Sequence, residues 1–138
     1  MSDKRIQVIH PEHFAPAKGY ANGMLSSGRT LHIAGQIGWN ADQDFESDDL
    51  IAQFAQALDN VLAVLSAAGG APSDLVKMTI YVTDMATYRS RARELGPIWK
   101  DRLGRHYPAM ALVRVVELVE PQAKVEIEAV ASLPTEPV

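Results

Sequence analysis

Glu126 and Glu128 stand two apart in Lys124-Val125-Glu126-Ile127-Glu128-Ala129, with apolar residues between and around them. Successive side chains of a strand point to opposite faces, so the two carboxylates share one face, opposite Val125, Ile127 and Ala129. Two environments are open to them. In water they form a solvated strand face. In a cleft between subunits, desolvation raises a carboxylic acid's pKa towards the range in which it transfers protons. Tyr20, directly after Gly19, has a similar choice between a core position and a hydroxyl donor at a cleft lip. In Gly35-Gln36-Ile37-Gly38, two glycines flank a polar and an apolar residue, a pattern for backbone that turns sharply or is closely approached.

Other chemistries are excluded or disfavoured. The chain has no cysteine, which removes disulfides, thiolate metal sites and cysteine nucleophiles. No G-x-S-x-G segment is present. His10, His13, His32 and His106 lack metal-ligand spacing, so neither a metal nor a cofactor is expected. The polar loop from Asn40 to Glu46 has neither the spacing nor the helix of a phosphate loop. A net charge of −4 argues against general nucleic-acid or anionic-membrane binding. No transmembrane run and no signal-peptide core are read in the chain, and a cytoplasmic protein is expected.

The elements that must position these residues follow from length and periodicity. The 138 residues fit one domain, 1–138, burying about 68–70% of its unfolded surface. Lys4 to Ile9 reads as a short edge strand, and Pro11 to Gly19 as an irregular loop. Ala21 to Leu25 and Thr30 to Ala34 read as a hairpin around Ser26-Ser27-Gly28-Arg29. Ser47 is the expected N-cap of a helix whose stripe is Leu50, Ile51, Phe54, Leu58, Val61, Leu62 and Leu65, ending at Gly69-Gly70. Leu75 to Thr83 alternates as a strand, with Val76, Met78, Ile80 and Val82 on one face. Asp84 caps a second helix to Leu103, with a kink or break expected at Gly96-Pro97 and solvated Arg89, Arg91 and Arg93.

The segment from His106 to Ser132 reads as two strands joined by a turn at Glu120-Pro121-Gln122. The whole pattern predicts an α+β domain with both helices on one face of a sheet. The other face is expected to carry His32, Ala34, Lys77, Thr79, Tyr81, Met110, Leu112, Arg114, Glu126 and Glu128. That mixture is too apolar for plain solvent and too charged for a core, and it fits a subunit interface.

Several segments together resemble the Rid (YjgF, endoribonuclease L-PSP) family, also labelled translation initiation inhibitors. They are AKGYANG at 17–23, LHIAGQIG at 31–38, ALDNVLAVLSAAGG at 57–70, DLVKMTIYVTDM at 74–85 and YPAMALVRVVELVEPQAKVEIEAVA at 107–131. The resemblance implies a chorismate-mutase-like α+β fold with a mixed sheet, assembled as a homotrimeric barrel with small-molecule clefts between subunits. In the family's active members an arginine at the start of a strand holds a substrate carboxylate. A glutamate of the last strand positions the water that hydrolyses an enamine or imine. On this chain the glutamate falls on Glu126 and the N-terminal tyrosine on Tyr20, the catalytic candidates. The ligand cleft falls on Ala34, Gly35, Gln36, Ile37 and Met110.

The match is partial. Met110 stands at the arginine position, in Pro108-Ala109-Met110. Ala34 replaces a serine and Ala92 an asparagine. A guanidinium–carboxylate pair is charged and directional, whereas methionine offers apolar contact. Arg114 lies four residues further on, roughly 13 Å by strand rise, while Arg105 and His106 immediately precede the strand. The expectation is a small-molecule-binding homotrimer without the usual 2-aminoacrylate deaminase activity. The alternatives are a hydrolase for a different imine, enamine or amide, and a non-catalytic interaction protein or endoribonuclease.

Overall fold

A computed structural model describes residues 5–135. The chain runs β1 (Ile6–Ile9), β2 (Gly23–Ser26), β3 (Arg29–Ile37), α1 (Leu50–Ala67), β4 (Leu75–Val82), α2 (Met85–Arg91), α3 (Leu95–Leu103), β5 (Ala109–Arg114) and β6 (Val125–Leu133). Single 3₁₀ turns precede β4 and separate α2 from α3. It is the expected α+β arrangement, a mixed sheet with helices on one face, and its main sheet has the order β3-β6-β4-β5.

The core lies between that sheet and the helices. Every second residue of β4 and β6 is buried: Met78, Ile80 and Val82 on one strand, and Val125, Ile127, Ala129 and Ala131 on the other. From α1, Phe54, Leu58, Val61 and Leu65 pack onto them, and from α3, Leu95, Trp99 and Leu103. The apolar content of α1 is a correction to the expected absence of such a run. By length and composition, with mean hydropathy 1.4, it is apolar enough to cross a membrane. Its apolar stripe instead covers the sheet.

Strand pairing departs from the sequence expectation in two places. β2 pairs antiparallel with β1, and β3 pairs antiparallel with β6, so β2 and β3 do not form a hairpin. Between them Gly28 adopts φ +118, and a Cβ there would stand 2.2 Å from the Leu133 carbonyl oxygen. The chain at Ser27-Gly28 thus passes from one sheet to the other against the end of β6. The expected first strand began at Lys4, outside the described residues; the described part starts at Ile6. The expected second strand began at Ala21, which makes only an isolated parallel bridge to Ala109.

The second departure concerns the C-terminal strands. β4 lies between β5 and β6, parallel to β5 and antiparallel to β6. The reason is topological. A strand–helix–strand crossover delivers its second strand parallel to the first, so β5 takes one edge of β4 and β6 returns along the other. The register also reassigns a face. Met110 opposes Met78 and Leu112 opposes Ile80, and both pack against the core on the helix side. Arg114 opposes Val82 and shares that side. Met110, Leu112 and Arg114 therefore do not share the face of Glu126 and Glu128. Ala111 and Val113 do, opposite Thr79 and Tyr81.

The helix ends are also adjusted. Asp49, rather than Ser47, caps α1 by accepting from the Ala52 amide at 3.1 Å, while Ser47 Oγ accepts from the Asp49 amide. Asp84 caps α2 as expected, accepting from the Thr87 amide at 3.0 Å. The break in the second helix falls at Ala92–Glu94, before Gly96-Pro97. Pro97 then sits in the first turn of α3, where a missing amide costs little. Arg91 is not simply solvated, because it bridges Asp49 and Glu94 and so ties this break to the start of α1.

Candidate functional site

Two groups of candidate residues form, on opposite faces of the main sheet. The first surrounds Glu126. β3 carries a bulge between Ile33 and Gln36, and the bulge brings Gly35 against the end of Glu126. A Cβ on Gly35 would lie 2.6 Å from Glu126 Oε2. The loop after β3 is held by α1, where Asn60 Nδ2 donates to the Ile37 carbonyl at 2.9 Å and the Trp39 carbonyl at 2.8 Å. Gln36 Nε2 donates back to the Ala34 carbonyl at 3.0 Å. Gly38 is pressed against α1, since a Cβ there would stand 2.5 Å from Gln53 Cβ.

Gln53 is buried and holds the approach to β6. Its Nε2 donates to the Ser47 and Gln122 carbonyls at 3.0 and 3.1 Å, and its Oε1 accepts from the Lys124 amide at 2.8 Å. Lys124 is two residues before Glu126, so α1 sets both backbones that flank the carboxylate.

The two glutamates are not equivalent. Tyr81 Oη donates to Glu128 Oε1 at 2.7 Å, and that bond raises the tyrosine's pKa. Among the described residues, nothing donates a hydrogen bond to the Glu126 carboxylate, which is half-buried. Glu128 also lines a hollow of about 410 Å³ with His32, Ala34, Lys77 and Thr79. Of the sequence-chosen cleft residues, Ala34, Gly35 and Gln36 therefore gather here. Ile37 follows them, opposite Glu126 in the register, and is buried.

The second group lies on the helix side. Tyr20 and Met110 line one pocket of about 410 Å³ with Lys18, Phe54, Tyr88, Leu95, Trp99, Tyr107 and Leu112. The Ala21 amide donates to the Pro108 carbonyl at 3.1 Å, which fixes Tyr20 beside the start of β5. The rings of Trp99 and Tyr107 stack at 5.8 Å and 4°. Trp99 Nε1 donates to the His106 carbonyl at 3.0 Å, so the indole contributes apolar surface. Burial raises the pKa of Tyr88.

Within one chain the structure does not bring Tyr20 and Met110 together with Glu126. The sequence reading missed Lys18, Tyr88, Trp99 and Tyr107 as pocket residues. Tyr88, Trp99 and Tyr107 gave no signal beyond a scatter of aromatics, and Lys18 gave none. None of the cations considered in place of an arginine lines this pocket. Arg105 and His106 border a neighbouring groove with Val8, His10 and Met24. The His106 Nε2 atom stands 2.7 Å from the Leu75 carbonyl oxygen, and Arg114 Nε donates to the Thr83 carbonyl. Ala92 is exposed in the 3₁₀ turn.

Residues 11–133 match the family model described as Endoribonuclease L-PSP. A RutC family protein of Haemophilus influenzae is 31% identical over 125 residues, covering 91% of this chain and 95% of its own. The 2-iminobutanoate/2-iminopropanoate deaminase of Escherichia coli K12 is 33% identical over 126 residues, covering 91% and 96%. Among solved structures, a protein of the conserved Rid family from Yersinia pestis superposes with TM-score 0.81 at 36% identity, over 94% of this chain and 99% of that one.

Proposed function

As the chain belongs to the Rid family, the endoribonuclease L-PSP group, we propose that it forms a homotrimer holding a small, largely apolar molecule between subunits, without the family's usual 2-aminoacrylate deaminase activity. The observation that carries this reading is the environment of Met110. At the position where the resemblance places a carboxylate-binding arginine, a thioether lies among Tyr20, Tyr88, Trp99, Tyr107 and Leu112. A charged hydrogen bond contributes about 1.5–3 kcal/mol net, and methionine supplies none of it. A relative named for 2-iminobutanoate and 2-iminopropanoate acts on small molecules that carry a carboxylate. Met110 itself offers that carboxylate no charged partner, and the pocket is larger than so small an acid fills.

The trimer is supported by the separation of the two groups. Tyr20 and Met110 occupy one face of the sheet and Glu126 the other, so one complete site requires two copies. The open sheet face carries Ala111 and Val113 between charged residues, as an interface does. Sedimentation should give three times the chain mass. Enzymatically generated 2-aminoacrylate should release pyruvate no faster with the protein than without it. Robust hydrolysis that Glu126→Ala abolishes overturns this proposal.

A second reading is favoured by the contrast between the two glutamates. Glu128 is engaged by Tyr81, whereas Glu126 keeps its lone pairs for a water or a ligand. On this reading the protein hydrolyses an imine, enamine or amide that lacks a carboxylate at the Met110 position, with Glu126 orienting water and Tyr20 assisting. A screen of neutral and aromatic imines tests it. Turnover that survives both Glu126→Gln and Tyr20→Phe assigns these residues no part in the chemistry.

A further inference from the structure

We infer that the pocket around Met110 takes an aromatic or bulky aliphatic molecule carrying an anionic group, and that Lys18 binds that group. The inference rests on the reading of this pocket as the ligand half-site and adds the chemical class of the ligand. At about 410 Å³ the pocket lies within the ordinary range for small-molecule sites and is far larger than a three-carbon acid requires. The stacked Trp99 and Tyr107 rings and the adaptable Met110 thioether suit a flat ring or a branched chain.

The charge distribution is one-sided. Lys18 is the charged residue among those lining the pocket, and no carboxylate lines it. Two nearby helix cations are held away from it, Arg91 by Asp49 and Glu94, and Arg102 by Asp59. Lys18 has no ion-pair partner among the described residues. The backbone places it deliberately. Gly19 adopts φ +77, a conformation strained for other residues, and on either side of it both Lys18 and Tyr20 line the pocket. A cationic ligand would meet Lys18 with no counter-charge. An anion at the rim with an apolar body inside meets each surface with its complement.

The test compares 3-phenylpropionate with its neutral analogue 3-phenylpropionamide by titration calorimetry, on the intact protein and on Lys18→Gln and Lys18→Arg. The acid should bind at least about tenfold more tightly than the amide, with added salt weakening only the acid. Lys18→Gln should erase the preference and leave amide affinity unchanged, and Lys18→Arg should retain it. Equal binding of acid and amide to the intact protein, or a preference that survives Lys18→Gln, overturns the anionic anchor while leaving the apolar pocket standing. Failure of both probes to bind overturns the anchor and the half-site reading together. An unchanged melting temperature for Lys18→Gln confirms that the exposed substitution leaves the fold intact.

Discussion

Gly35 presents bare backbone to Glu126, with the carboxylate oxygen Oε2 only 2.6 Å from where a Cβ would stand. The atoms in the way belong to the end of a flexible side chain, so alanine at 35 would push the carboxylate aside rather than disrupt the sheet. Gly35→Ala should change stability by less than about 0.5 kcal/mol, the range of an ordinary surface substitution. Ligand affinity or turnover dependent on Glu126 should fall by about tenfold. Paired melting and calorimetry would check this, and a large loss of stability with intact binding would contradict it.

Gly38 is the opposite case. A Cβ there meets Gln53 Cα and its carbonyl oxygen at 2.7 Å, and helix backbone cannot swing away. Gly38→Ala should destabilise the chain by about 1–3 kcal/mol, as overpacking does. The readout is the urea midpoint at constant slope.

Gln53→Leu should cost about 2–4 kcal/mol. It keeps the volume but strands the Ser47 and Gln122 carbonyls and the Lys124 amide, three groups that the glutamine now satisfies. Amide exchange should accelerate at Lys124 before it does at Ile127. Uniform exchange along β6 would speak against the local role.

Met110→Arg should confer binding of small α-keto and α-imino acids, by about 10- to 100-fold if the guanidinium recovers a charged hydrogen bond. Pyruvate binding and 2-aminoacrylate hydrolysis are the measurements. A folded variant with no gain in either would place the carboxylate site elsewhere.

Acid should weaken the link between α1 and the helical break. Arg91 holds the Asp49 carboxyl below its usual pKa, helped by the Ala52 amide. The unfolded chain therefore binds more protons near the ordinary value of about 3.9. Asp49's contribution is present above that pH and is lost as the pH falls through the lower folded value. Both side chains are substantially exposed, at 36% and 40%, so added salt should shrink the effect. Asp49→Asn should flatten stability against pH below about 4, while unaltered acid sensitivity would assign the slope to other carboxylates.

What could be read in advance was what depends on local periodicity. The α1 stripe, the alternation of β4 and β6, the closely approached glycines and the Asp84 cap are each properties of a few neighbouring residues. Strand order is not. Nothing near Ser27 tells β3 to pair with β6 at the far end of the chain, and nothing near Glu120 shows that the helical crossover has already set β5 on the other edge of β4. β5 misled for a different reason. Ala109-Met110-Ala111-Leu112-Val113 has no polar alternation, so Arg114 alone suggested which side faces out. That residue lies at the end of the strand, where its guanidinium reaches the Thr83 carbonyl instead of marking an exposed face. The aromatic pocket was illegible because Tyr20, Tyr88, Trp99 and Tyr107 come from separate segments that only the fold brings together.

The placement of Met110 and Glu126 on opposite faces of one sheet turns a pair of substitutions into a gauge of quaternary structure. In an isolated chain the two positions share no partner, and their effects on affinity should simply add. Where one copy's Met110 face meets another's Glu126 face, both act on the same bound molecule and the effects depart from additivity. Measured across a dilution series, the interaction energy between the two positions would appear as subunits associate and vanish as they part.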